Sequence, residues 1–395
     1  MKKPLKPALI RRAYGLGAAV LALGLTVQPA QAFKDPMDIP AIVAPKAAKA
    51  LMLNVTSRGN VAVVVGERGI VLRRDFSAPD PKDGAKDGDG RIWTQAKVPV
   101  SINMTAIEFA SDSVAYMAGH DGVVLKSTDA GASWTRVFDG NKANAQVVAA
   151  AKAKYDAVQA RYDALPPAQQ SKMDAELEAA QFALEDAEAG ARFGPARPML
   201  GLWFRNENQG WVVGSYGQIF ETTDGGANWK LIADRLNNPD FRHYNGIYGD
   251  DTGLLLIAGE AGRIYRSNNF GQTWERLDTG YNGHFYGTAV VRGSSGEPTI
   301  YAYGFSGNVY RMGPGAAGWW KMQSPTKESF VQAITQGNSV LLIDQKGRLV
   351  KTDPTGTQLT MVMNKEGKPV TGMALVGKTL VLSGQGGPRT VDLPQ

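Results

Sequence analysis

The sequence predicts an all-β protein, a seven-bladed β-propeller with an inserted antiparallel α-helical coiled-coil hairpin. Three observations predict it: a Gly-x-x-Gly unit that recurs seven times, a second motif ending in tryptophan, and one stretch where the apolar period changes from two to seven.

The first unit reads Val63-Val64-Val65-Gly66-Glu67-Arg68-Gly69-Ile70-Val71, two β-rich runs around a glycine pair. It returns at Gly119/Gly122, Gly214/Gly217, Gly259/Gly262 and Gly304/Gly307, then as Asp344 with Gly347 and Gly384 with Gly387. First-position spacings of 53, 95, 45, 45, 40 and 40 residues fit a unit of about 40–45, the length of four short strands or one propeller blade. An insertion of about 50 residues explains the second interval, and the polar stretch from Ser77 to Arg91 lengthens the first. Each glycine pair is expected to bracket a hairpin turn, where glycine accepts the positive φ of primed turns. Upstream segments such as Leu200 to Phe204 and Gly246 to Tyr248 supply the innermost strands.

The second motif has the Asp-box (BNR-type) spacing Ser/Thr-x-Asp-x-Gly-x-x-Trp. It places Ser127, Asp129, Gly131 and Trp134 in one copy and Thr222, Asp224, Gly226 and Trp229 in the next. A third copy has Ser267, Asn269, Gly271 and Trp274. The acceptor oxygen of Asp or Asn can take backbone N–H groups across the turn while tryptophan packs between blades, so the box is read as structural.

The last unit shows three strands, near Gly372 to Val376, Thr379 to Ser383 and Arg389 to Leu393. The segment Ile39-Pro40-Ala41-Ile42-Val43-Ala44 is expected to supply the fourth and leave no loose sheet edge.

Between Asp139 and Arg192 apolar residues fall at Val148, Ala151, Tyr155, Val158, Tyr162 and Leu165, then at Met173, Leu177, Ala180, Leu184 and Ala187. Steps of three and four describe two helices, and Pro166-Pro167 separates them. The insertion is placed at residues 140–192. It follows the outermost strand of the second blade, so it leaves on the same side as the Gly-x-x-Gly turns, and arm and turns should form one surface.

Lys2, Lys3, Lys6, Arg11 and Arg12 precede an apolar run from Tyr14 to Val27, and Ala30-Gln31-Ala32 offers a cleavage site. Residues 1–32 therefore read as a secretory signal peptide, with residues 33–395 as the propeller. Export implies a periplasmic location, and no later apolar run is long enough to span a bilayer. Of the 43 basic residues five lie in this leader, which leaves 38 against 37 acidic. A balance near neutrality argues against a broad nucleic-acid surface.

Catalytic, cofactor and metal sites are not expected. Cysteine is absent, which excludes thiol chemistry, and the three histidines, His120, His243 and His284, fall on the turn side without a metal-binding motif. The stretch Asp80 to Gly90 lacks the ligand spacing of a calcium loop and is read as a flexible surface loop. The candidate partner-binding residues are instead turn-side side chains: Arg68, His120, Tyr216, Phe241, Arg242, His243, Tyr244, His284, Phe285 and Phe305, with Tyr155 and Tyr162 on the arm.

The Gly-x-x-Gly unit followed by Thr-Thr-Asp-Gly-Gly-x-x-Trp, from Gly214 to Trp229, resembles the photosystem II stability/assembly factor-like family. That resemblance implies a seven-bladed fold, no enzymatic activity, and binding of a membrane-protein complex from the exported side. In non-photosynthetic bacteria it implies an accessory of a resistance-nodulation-division (RND) exporter. Two other functions suit a propeller, a glycan- or small-molecule-binding protein and a sialidase-like Asp-box glycosidase. The latter needs an arginine triad and a Phe/Tyr-Arg-Ile-Pro segment, and no such segment occurs near the start of residues 33–395.

Overall fold

Each glycine pair lies between two antiparallel strands, and seven separate sheets follow one another along the chain. The computed structural model describes residues 34–364 and 367–393, so the expected leader lies outside the described residues. The third sheet shows the plan: Met199–Phe204 innermost, then Gly210–Gly214, Ile219–Thr222 and Lys230–Leu231 at the rim. The other inner strands are Met52–Arg58, Met104–Phe109, Tyr244–Gly249, Phe285–Arg292, Phe330–Gln336 and Val370–Val376.

Seven apolar clusters hold the sheets together, one between each neighbouring pair. Alternating strand faces each supply half of a cluster, so no blade shields its own faces without its neighbours. The ring closes where Ala374, Val376 and Val381 of blade seven pack with Met52, Val55 and Val64 of blade one. Across this joint Thr371 Oγ1 donates to the Met52 carbonyl at 2.8 Å, and Ser57 Oγ donates to the Leu375 carbonyl at 2.8 Å.

Two expectations about the ends are corrected. Among the described residues blade seven has three strands, and the segment from Ile39 to Ala44 does not join it. That segment bonds to the link between blades one and two, where the Ala41 N–H donates to the Val98 carbonyl at 3.0 Å and the Ala44 N–H to Gln95 Oε1 at 3.0 Å. The stretch from Asp80 to Gly90 is not wholly loop, since Ala85–Lys86 pairs with the strand Ile92–Gln95. Its buried Asp87 accepts from Trp93 Nε1, Asp89 N and Arg91 N, which fixes the loop. This loop also meets the last strand: the Thr390 N–H donates to Asp89 Oδ2 and Arg91 Nε to Thr390 Oγ1.

The Asp-boxes bond as their residue types dictate. In the first, Asp129 Oδ1 accepts the Ser133 N–H at 2.9 Å, Ser127 Oγ accepts the Gly131 N–H at 2.9 Å, and Trp134 Nε1 donates to the Gly131 carbonyl. Burial alone would raise the Asp129 carboxyl, but hydrogen bonds from Ser133, Ser127 and Ala132 outweigh it and hold it below its ordinary range. Asp129→Ala is expected to lower unfolding free energy by about 2 kcal/mol, since it removes several hydrogen bonds to one charged acceptor. Because the folded-state pKa is depressed, the carboxylate's contribution is present above the unfolded-state pKa and fades as pH falls through the folded one. Denaturant titration at pH 7 and at pH 3 checks both points, with the mutant deficit shrinking at low pH.

The helical insertion consists of α1 (Gly140–Asp163), the single turn α2 (Pro167–Gln170) and α3 (Asp174–Arg192). Val158, Ala180 and Ala187 are the buried apolar residues of the two helices beyond the first turn of α1, and small residues there let the helices approach. Arg161 and Glu176 form an ion pair across the hairpin.

Candidate docking face

The turn side of the ring is built from one repeated hydrogen bond. In every blade the residue after the first glycine position donates its N–H to the carbonyl just before the inner strand. The donors are Glu67, His120, Ser215, Glu260, Phe305, Gln345 and Gln385, and the acceptors Leu51, Asn103, Pro198, His243, His284, Ser329 and Pro369. Five blades place a non-glycine residue next in a left-handed conformation: Arg68, Asp121, Tyr216, Ala261 and Ser306, with φ of 52–56°. Each such residue costs about 1 kcal/mol.

The first glycine has a different role from the one expected. Gly214 is extended, at φ −163°, and only the second glycine, Gly217, has a positive φ of 70°. A Cβ on Gly214 would collide with the Pro198 carbonyl, so close approach is what requires glycine there. Blade six carries Asp344 at this position and keeps the turn bond from the Gln345 N–H to the Ser329 carbonyl, and its buried carboxylate accepts from Lys346 N, Arg348 N and Arg348 Nε.

The arm is fixed to this side at three points. Asp139 caps α1, accepting the N–H groups of Asn141 and Lys142 at 3.1 Å, and Gly140 is pressed against the blade-two turn at Asp121. Gln146 of α1 behaves as an added strand residue. Its Nε2 donates to the Trp229 carbonyl at 2.9 Å, and its Oε1 accepts the Leu231 N–H at 2.8 Å, which covers the rim of blade three. Arg197 completes the junction, 3.4 Å from Asp186 of α3 and 4.8 Å from the Tyr216 ring centroid.

Next to Tyr216 lies a row that crosses blades three to five. The His243 ring is 5.0 Å from that of Tyr216, and its Nδ1 is 3.0 Å from Glu260 Oε2. His284 Nδ1 lies 3.8 Å from the other oxygen of Glu260, and its ring meets Phe305 edge-on. Burial alone would raise the Glu260 carboxyl; hydrogen bonds from His243 and the nearby histidines reverse this and hold it below its usual range. Phe241 and Phe305 are half-exposed and Phe193, where the arm returns to the ring, is 88% exposed. Ile42, Val43 and Leu51 are exposed beside the blade-one turn. Trp320 at the rim of blade five and Phe182 on the arm are the other large exposed apolar side chains among the described residues; the grouping on the turn side is the surface signature of a docking face.

Several candidates lie elsewhere. Tyr244 and Phe285 are buried, not exposed, because each starts an inner strand beneath the first glycine of its blade. Tyr155 and Tyr162 are half-buried along the seam between the helices, while Phe182 points outward. Arg68 and His120 are exposed in the turns of blades one and two, and Arg242 lies 3.7 Å from Asp240. His120 does not join the other two histidines, and among the described residues no His, Cys, Asp or Glu group is arranged to hold a metal. Sequence reasoning missed Arg197 and Glu260. Glu260 was accessible to it, as the residue after a first glycine flanked by two histidine-bearing links.

On the ring axis the inner strands enclose a channel of about 670 Å3. Among its described lining residues there is no arginine and one carboxylate, Glu108. A sialidase-like site needs an arginine triad, so this described lining does not support the sialidase-like reading. Desolvation pushes the Glu108 carboxyl up to about 8.

The family described as "Photosynthesis system II assembly factor YCF48" matches residues 195–360. "Photosystem II assembly lipoprotein Ycf48" of Synechococcus sp. (strain CC9902) is 36% identical over 124 residues, 30% of this chain and 35% of the relative. The match thus spans about a third of that relative's length. The solved structure of YCF48 bound to D1 peptide has a TM-score of 0.56 at 14% identity, covering 90% of this chain and 99% of that one. YCF48 from Cyanidioschyzon merolae gives 0.55 at 14% identity, covering 88% and 96%. At such identities the two structures establish the shared ring. In fold across the described ring, and in sequence over residues 195–360, the chain resembles the photosystem II stability/assembly factor-like family of Asp-box β-propellers.

Proposed function

We propose that this protein is an exported, non-enzymatic scaffold that binds a membrane-protein complex and serves it as an assembly or stability factor. The observation that carries this reading is the gathering of arm, Tyr216, Phe241, Phe305 and Phe193 on one side of the ring. A membrane complex is the partner class suggested by relatives whose names place them with photosystem II and with D1 peptide. An RND-type exporter is the specific partner proposed for this chain, in keeping with the leader read at residues 1–32. No described helix is long and apolar enough to cross a membrane, so contact with the bilayer-embedded partner is assigned to the docking face.

The test is co-purification from detergent-solubilised envelopes with a tagged protein. Tyr216→Ala combined with Phe305→Ala is expected to weaken capture of the membrane partner at least tenfold, as loss of two aromatic anchors does, while Tm moves by no more than about 2 °C. Undiminished capture by the double variant would remove the docking face from the account. Mature protein beginning at Phe33 would support the assigned export signal.

A further inference from the structure

The inner strands share a common register, so equivalent residues lie at one level of the axial channel. Counting from the residue opposite each first glycine, Glu108 of blade two, Trp203 of blade three and Tyr248 of blade four occupy the same position. All three line the channel on adjacent blades. The Glu108 charge is felt at the Tyr248 phenol. Among the described residues no hydrogen bond or ion pair engages Glu108, and Thr288 Oγ1 of the same wall is also unpartnered, whereas three amide side chains are used between blades: Asn54 Nδ2 donates to the Thr105 carbonyl, Asn245 Nδ2 to the Phe285 carbonyl, and Gln332 Oε1 accepts the Met373 N–H. Among the described residues the lining holds no Lys, Arg or His.

We propose that the axial channel binds a small organic cation, its ammonium group against Glu108 and its carbon skeleton against Trp203 and Tyr248. A half-buried carboxyl without a protein partner on a channel wall gains when a cation joins it. Aromatic walls add attraction for an ammonium and its methyl or methylene groups. The volume suits a small molecule. A metal ion fits poorly, because one carboxylate with scattered amides does not supply the six or more oxygens calcium needs. This inference is independent of the docking face, which lies at the rim of the turn side.

Choline is the probe, titrated calorimetrically into the full-length mature protein in buffers of different ionisation enthalpy, with sodium chloride as the ionic-strength control. Because empty Glu108 is largely protonated at pH 7, binding is expected to release close to one proton there. Affinity should rise about tenfold per pH unit below about 8 and level off above it. Glu108→Gln should bind at least tenfold more weakly and release no proton, and Tyr248→Leu should weaken binding several-fold. The Gln variant also reports on its own folding. A raised folded-state pKa means the wild type loses stability as pH rises from the unfolded-state value through about 8. The Gln variant lacks that decline, so its Tm should equal or exceed the wild type's at pH 9. No saturable binding up to about 100 mM choline, equal binding by Glu108→Gln, or binding without proton release would overturn the proposal. A sugar that binds in place of choline, unaffected by pH, would also overturn it.

Discussion

Replacing residues 141–189 with a short glycine bridge should leave a folded ring that no longer captures its membrane partner. All seven blade interfaces exist without the arm, apart from Ala143 and Val147, which pack on the cluster between blades two and three. The bridge also frees the Trp229 carbonyl and Leu231 N–H at an exposed sheet rim, so the ring should lose about 1–3 kcal/mol yet stay folded. Gln146→Ala isolates that loss: it should destabilise by a similar amount and keep partner capture. If the bridged variant still co-purifies with the same membrane proteins, the arm takes no part in docking.

The second large effect concerns the ring. Gly214→Val should destabilise by about 3 kcal/mol or more, with Tm falling at least about 5 °C, because the new side chain drives the Pro198 carbonyl from the Ser215 N–H. Gly88→Val is the matched control. Its added Cβ meets nothing within 4 Å, so Tm should hardly move. Circular dichroism melts of the two variants decide the point. Equal melts would mean that the seven repeated turn bonds do not clamp the inner strands.

The propeller was legible because its period is written in residues with few substitutes. The turn needs glycine where a carbonyl approaches, so the spacing survives variable strand sequences. Even the copy with Asp344 keeps the pattern, its carboxylate satisfying the same turn internally. The arm was equally readable: its apolar steps of three and four became the half-buried seam from Val148 to Leu165 and from Met173 to Ala187.

What spacing could not give was depth. Tyr244 and Phe285 looked like turn-side aromatics, yet they begin inner strands opposite Gly259 and Gly304. Met52, Met104, Met199, Phe330 and Val370 occupy the same position in the other blades, and all are buried. Aligning the units on their inner strands as well as their glycines would have revealed that core position. The segment from Ile39 to Ala44 misled for another reason: its apolar residues suit a strand, but its backbone partners are carbonyls and a glutamine between blades one and two. Arg197 gave no signal, since its role depends on the return of α3 beside the blade-three turn.

Photo-crosslinking in intact cells tests the central claim most directly. A photoreactive side chain is placed at Phe241 or Phe305 on the turn side, and at Asn228 in an Asp-box on the opposite side. The account predicts adducts with an inner-membrane protein from the first two positions and none from the third. Adducts from position 228 with silence at 241 and 305 would contradict it.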